Sequence, residues 1–222
     1  RSSDLRGRNK SQCYHRAIAI AYEERMQVDQ MTGRLRGVDY VHSPNQQARP
    51  AGIAPELVVI HGISLPAGQF GGEYVDQLFT NALDTQGDPR FAYLAGLRVS
   101  AHVYIRRDGR VTQFVGFNEM AWHAGQSWFA ERENCNDFAI GIELEGTDEQ
   151  PYAAIQYSRL EAVLTALQTA YPGIAADRVV GHCHIAPGRK TDPGSAFDWA
   201  RLQRTLGIMK PTTQPQPQAS RS

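Results

Sequence analysis

The spacing of apolar and polar positions changes period several times along the chain. Leu57-Val58-Val59-Ile60 is an unbroken apolar run, the pattern of a strand buried on both faces. Val75, Leu78, Phe79 and Ala82 then recur at i, i+3, i+4 and i+7, which predicts a helix over residues 73–84. Two β-prone runs, 99–105 and 111–115, flank Arg106-Arg107-Asp108-Gly109-Arg110. Asp-Gly between such runs marks a hairpin, with Arg106 and Arg107 read as solvated turn residues. Residues 139–145 alternate, with Ile140, Ile142 and Leu144 on one side and Gly141, Glu143 and Glu145 on the other. Ser158-Arg159-Leu160-Glu161 has the form of a capping box. Leu160, Val163, Leu164, Leu167 and Tyr171 then trace a helical stripe that Pro172-Gly173 ends. A short strand at 178–181 and a helix at 198–206, with Trp199, Leu202 and Leu206 inward, complete the pattern. Strands interspersed with helices predict an α/β fold: a single domain with a central mixed β-sheet flanked by α-helices. The hairpin excludes a purely parallel sheet.

The ends read differently. The stretch to about residue 50 is polar and aperiodic, and residues 211–222 form a Pro/Gln-rich tail that cannot build a core. The expected organisation is an extension or tag over residues 1–30, a domain over 31–210, and the tail. Met26 and Met31 are candidate natural starts. Ala17-Ile18-Ala19-Ile20-Ala21 is too short for a signal-peptide core, and Glu23, Glu24 and Arg25 follow it, so no secretory signal is expected. No apolar run approaches a membrane span.

Composition narrows the function classes. The formal net charge is zero, which gives no general attraction to nucleic acid or an anionic membrane. Three scattered cysteines, Cys13, Cys135 and Cys183, do not describe a disulfide framework and fit reduced thiols in a cytoplasmic protein.

The chemistry concentrates in one segment, 181–194, which carries His182, His184, Lys190 and Asp192 among glycines and prolines. His61 stands at the end of the apolar run and His182 at the end of another strand. Two imidazoles and a carboxylate suit a hydrolytic zinc site, which needs three protein ligands and one open position. Amide hydrolysis also needs a base for the water proton and a positive group for the oxyanion. Lys190 suits the second role. Glu143 and Glu145 share one strand face, and the pleat alone leaves both open for the first. His184 is a rival ligand through its His-x-His spacing, with both rings on one side of an extended strand. His102 and His123 read as structural residues or as supports for a ligand, and Trp122 as a sugar-site or core aromatic.

The segments Ile60-His61-Gly62 to Gly72, Arg98-Val99-Ser100-Ala101-His102, Ala121-Trp122-His123-Ala124-Gly125, Cys135-Asn136-Asp137-Phe138 to Asp148, and 181–194 resemble, in the same order, those of the AmpD family. These are the 1,6-anhydro-N-acetylmuramoyl-L-alanine amidases. The resemblance runs over about residues 35–208. It implies the fold of the zinc amidase and peptidoglycan-recognition superfamily, with Zn2+ held by His61, His182 and Asp192. It also implies Glu143 rather than Glu145 as the catalytic carboxylate, Lys190 as the catalytic lysine, and Arg98 and Trp122 at the substrate. The metal falls on His182 and not His184. The implied reaction is hydrolysis of the amide between the lactyl group of anhydro-muramic acid and L-alanine, during cytoplasmic cell-wall recycling, by a monomer whose partner is a small muropeptide. Asn134 and Gly62 depart from residues some relatives carry, an Arg and an Asn, which implies altered anchoring of the peptide carboxylate and the sugar. The competing expectations are an envelope amidase acting on intact peptidoglycan and a non-catalytic peptidoglycan-binding module.

Overall fold

The computed structural model describes residues 26–207. Its centre is a six-stranded sheet built from β1 (Asp39–Tyr40), β2 (Leu57–Ile63), β3 (Val103–Ile105), β4 (Val111–Gln113), β5 (Ala139–Glu145) and β6 (Val179–Gly181). The spatial order is β6-β2-β5-β3-β4-β1. The β3–β4 hairpin is antiparallel and the other pairings are parallel, so the sheet is mixed as the Asp-Gly turn requires. The helices are α1 (Tyr74–Phe79), α2 (Ala154–Ala170), the single turn α3 (His182–Ile185) and α4 (Trp199–Thr205).

The alternation in β2 and β5 separates two layers. Val58, Ile60, Ile140, Ile142 and Leu144 pack on one face against Leu160, Val163, Leu164 and Leu167 of α2 and Leu202 of α4. Each such aliphatic side chain, fully buried, stabilises the fold by roughly 1.5–3 kcal/mol. The opposite face carries Leu57, Val59 and Ala139 under Phe138 and Ile185, with Tyr104 and Phe114 under Phe79 and Phe91. That face also carries His61 and Glu143. Register places Glu143 directly beside His61 and Gly181 beside Ile60, so His182 leaves its strand at the level of His61. Both histidines therefore emerge at the carboxyl ends of neighbouring parallel strands, where open α/β sheets place their ligand crevices.

Several expectations need correction. Helix α1 stops at Phe79: Asn81 adopts φ 60°, a left-handed conformation that turns the chain out of the helix before Ala82. Helix α2 starts at Ala154, four residues before Ser158. Its cap is Gln156, whose Oε1 accepts the Ala153 N–H at 2.9 Å while its Nε2 donates to the carbonyls of Ile105 and Glu145. A long-range tie to two strands thus overrides the local Ser-x-x-Glu signal. Arg106 is buried, not solvated. Its guanidinium donates to the Gly72 carbonyl at 2.8 Å and pairs with Asp76. Met26 lies in the core and Val28 packs against it, so the packed chain reaches back past residue 31. The tail at 211–222, the 17–21 run and Cys13 lie outside the described residues. Among those residues, no helix is long and apolar enough to cross a membrane.

Candidate metal centre and active site

Strand β2 brings His61 to its carboxyl end, and β6 hands His182 to the first turn of α3. The loop after α3 folds Asp192 back over both, fixed by the Cys183 N–H donating to the Asp192 carbonyl at 3.0 Å. His61 Nδ1 and His182 Nδ1 are 2.9 Å apart. Asp192 Oδ2 lies 3.2 Å from the first and 3.1 Å from the second. Tetrahedral ligation with bonds of ~2.0–2.1 Å sets donor atoms roughly 3.3 Å apart, so this triangle fits one metal ion with small adjustments. Two of the donors have shifted pKa values that suit ligation. Burial holds the His61 imidazole down to about 4, leaving it neutral. Burial alone would raise Asp192, but its contacts with the His182 and His61 rings outweigh that and hold its pKa below the usual carboxylate value.

Glu143 is the fourth element. Its Oε1 lies 3.9 Å from His61 Nδ1, and its buried Oε2 has no hydrogen-bond partner. Burial, with the charge of Asp192 second, raises its pKa well above the usual carboxylate value, and Lys190 opposes that rise. His123 Nε2 is likewise buried and unpartnered. Glu143 and His123 both line a cleft of about 240 Å³ together with Lys190, Trp122, Tyr93 and Leu97. Buried polar atoms are nearly always paired, so two unpartnered ones on residues of one cleft single it out as the candidate site. A larger groove of about 620 Å³ runs along α2, but among the described residues Glu161 is the one ionisable side chain lining it.

The remaining candidates sort themselves. Glu145 uses both oxygens structurally, accepting the backbone N–H of Gly71 and that of Arg107. His184 is turned away because α3 is helical, not extended. Its Nδ1 accepts the Gly181 N–H at 2.9 Å and its ring sits 5.4 Å from Trp199. Arg98 is exposed between the lining residues Leu97 and Val99 and is not itself part of the lining. Gly62 has a physical reason: a Cβ there would come within 2.3 Å of the Tyr152 hydroxyl, which donates to the Pro193 carbonyl at 2.9 Å. His123, expected as a structural residue or a support for a ligand, lies against His61, whereas no residue spacing links Tyr152 or Asn136 to the site.

His102 lies deeper. Its Nδ1 accepts the Gly141 N–H at 3.0 Å and its Nε2 donates to the Glu119 carbonyl at 3.1 Å. Burial, and then the charge of Arg49, push its pKa well below the usual imidazole value. The unfolded chain binds a proton near pH ~6.5 that the folded chain refuses. The contribution is therefore fully present above that pH and is lost as pH falls through ~6.5 towards the lower folded value. Urea unfolding at about pH 7.5 and about pH 5.5 should show lower stability in acid, and His102→Asn should shrink the difference.

Two imidazoles and one carboxylate could supply three ligands to a cation, and the buried carboxyl group of Glu143 stands beside them. On a mixed α/β sheet, such a donor cluster beside a free carboxyl group is the arrangement a hydrolase can use. Residues 51–195 match the N-acetylmuramoyl-L-alanine amidase family, and the chain belongs to it. It is 56% identical over 181 residues to the 1,6-anhydro-N-acetylmuramyl-L-alanine amidase AmpD of Escherichia coli K12, covering 82% of this chain and 97% of that relative. It is 52% identical to the Haemophilus influenzae AmpD over 76% of this chain and 92% of that one. Among solved structures, a selenomethionine AmpD crystal structure superposes with a TM-score of 0.76 at 53% identity, over 78% of this chain and 97% of the other. Escherichia coli AmiD, in complex with anhydro-N-acetylmuramic acid-L-Ala-D-γ-Glu-L-Lys, superposes at 0.51 with 29% identity, over 72% and 61% of the two chains.

Proposed function

We propose that this protein is a zinc amidase that hydrolyses the bond between the lactyl group of 1,6-anhydro-N-acetylmuramic acid and L-alanine in soluble muropeptides. The observation that carries the reading is the Nδ1–Nδ1–Oδ2 triangle of His61, His182 and Asp192 with Glu143 beside it. The high identity to AmpD proteins over nearly their whole length supports the substrate. His61, His182 and Asp192 would hold the zinc, which supplies Lewis acidity towards the scissile carbonyl and an acidified water. Glu143 takes the proton of the attacking water and returns it to the leaving amine. Its raised proton affinity suits both halves of that task. Lys190, at the mouth of the cleft, offsets the charge that develops on the carbonyl oxygen. Trp122 in the lining and Arg98 on the adjoining loop contact the sugar and the acidic stem peptide. A soluble recycling substrate fits action in the cytoplasm.

The test is incubation with anhydro-muramoyl tripeptide, with and without a chelator, followed by mass spectrometry. Free tripeptide should appear, disappear with the chelator and return with added zinc. Binding without turnover would favour a non-catalytic module, and faster release from intact sacculi an envelope amidase.

A further inference from the structure

The two histidine donors are held from behind by one short segment. His61 Nε2 lies 3.0 Å from His123 Nδ1, and His182 Nε2 lies 3.1 Å from the carbonyl oxygen of the next residue, Ala124. A carbonyl only accepts, so His182 carries its proton on Nε2 and keeps a lone pair on Nδ1. Ligation through His61 Nδ1 requires the same of that ring, with His123 Nδ1 as its acceptor. Arg189 donates to the second lone pair of the Ala124 carbonyl at 2.6 Å.

What fixes the segment is a third side chain. Asn136 Oδ1 accepts the backbone N–H of His123 at 3.2 Å and that of Ala124 at 2.8 Å. Asn136 sits in the helical turn Cys135–Asp137 that leads into β5, and its own carbonyl is tied to the Arg49 guanidinium at 3.1 Å. The floor of the arrangement is Gly141 on β5, where a Cβ would come within 2.4 Å of the His123 ring. The ring therefore lies against the sheet with no side chain between.

We propose that Asn136 is a positioning residue of the metal centre: through the backbone of His123 and Ala124 it sets the proton acceptors of both histidine ligands at once. It touches neither ligand itself. The proposal rests on the zinc-site reading above.

The readout is zinc affinity of the full chain, measured by competition with a chromogenic chelator. Removing an outer partner of a metal-ligating histidine typically weakens metal binding about 10–100-fold. Asn136→Ala should show a loss of that order while the zinc-free protein still unfolds cooperatively. Asn136→Asp, which keeps an acceptor oxygen, should restore affinity. His123→Phe keeps a ring over Gly141 but removes the acceptor for His61, and should also weaken zinc binding; it carries the test if Asn136→Ala does not fold. Ring-nitrogen NMR of the zinc-loaded protein should place the proton of both His61 and His182 on Nε2. A folded Asn136→Ala with wild-type zinc affinity would overturn the proposal, as would protons on Nδ1. Wild-type protein that binds no zinc, or His182→Ala that binds it normally, would overturn the metal site itself and the proposal with it.

Discussion

Glu143→Ala is expected to leave zinc bound and to lower turnover by about 10²–10⁴-fold, the usual worth of a positioned general base. The carboxyl group is not one of the three donors: its nearer oxygen stays 3.9 Å from His61 Nδ1, while the donors lie within 3.2 Å of one another. Its other oxygen is buried without a partner, so truncation removes a group poised for a proton and breaks no hydrogen bond of that atom. Glu145→Ala, by contrast, cuts the ties to Gly71 and Arg107 and should act through stability. Metal content and turnover measured on the same sample check the assignment. Full activity in Glu143→Ala would sink the base role.

The second large effect is at His182. His182→Ala leaves two donors where a zinc site needs three from the protein, so the metal should be lost on dialysis and turnover should fall to background. The consequence reaches past the ligand count, because the buried Ala124 carbonyl loses a hydrogen-bond partner. His184→Ala provides the contrast. That ring is committed to the Gly181 N–H and to Trp199, so zinc content and turnover should stay near wild type, with the change confined to stability. Elemental analysis of the two dialysed variants separates the two histidines.

The contrast also marks where local pattern stops being informative. In an extended strand His182 and His184 would face one way, and the spacing alone supports either. The chain instead turns helical at His182, which carries His184 to the far side. The capping signal at Ser158 fails for a related reason: Gln156 reaches the Ile105 and Glu145 carbonyls, contacts between distant parts of the chain that no short window contains. Arg106 reads as a turn residue until its partner Asp76, thirty residues away, is in place.

What the sequence determines by itself is the set of parts: the apolar run ending at His61, the alternating strand carrying Glu143, the Asp-Gly hairpin that makes the sheet mixed, and the glycine- and proline-rich segment holding His182, Lys190 and Asp192. These follow from periodicities of two and 3.6 residues and from turn chemistry, all short-range properties of the backbone. Between Glu143 and Glu145 the strand pattern is silent and only the resemblance chooses; tertiary structure adds that both Glu145 oxygens are engaged while Glu143 Oε2 is not, that Tyr152 excludes a side chain at Gly62, and that Asn136 and Ala124 join His123 behind His61 and His182. Each depends on which strands lie side by side and in what register, and the pairing of His61 with Glu143 and of Ile60 with Gly181 has no counterpart in local spacing.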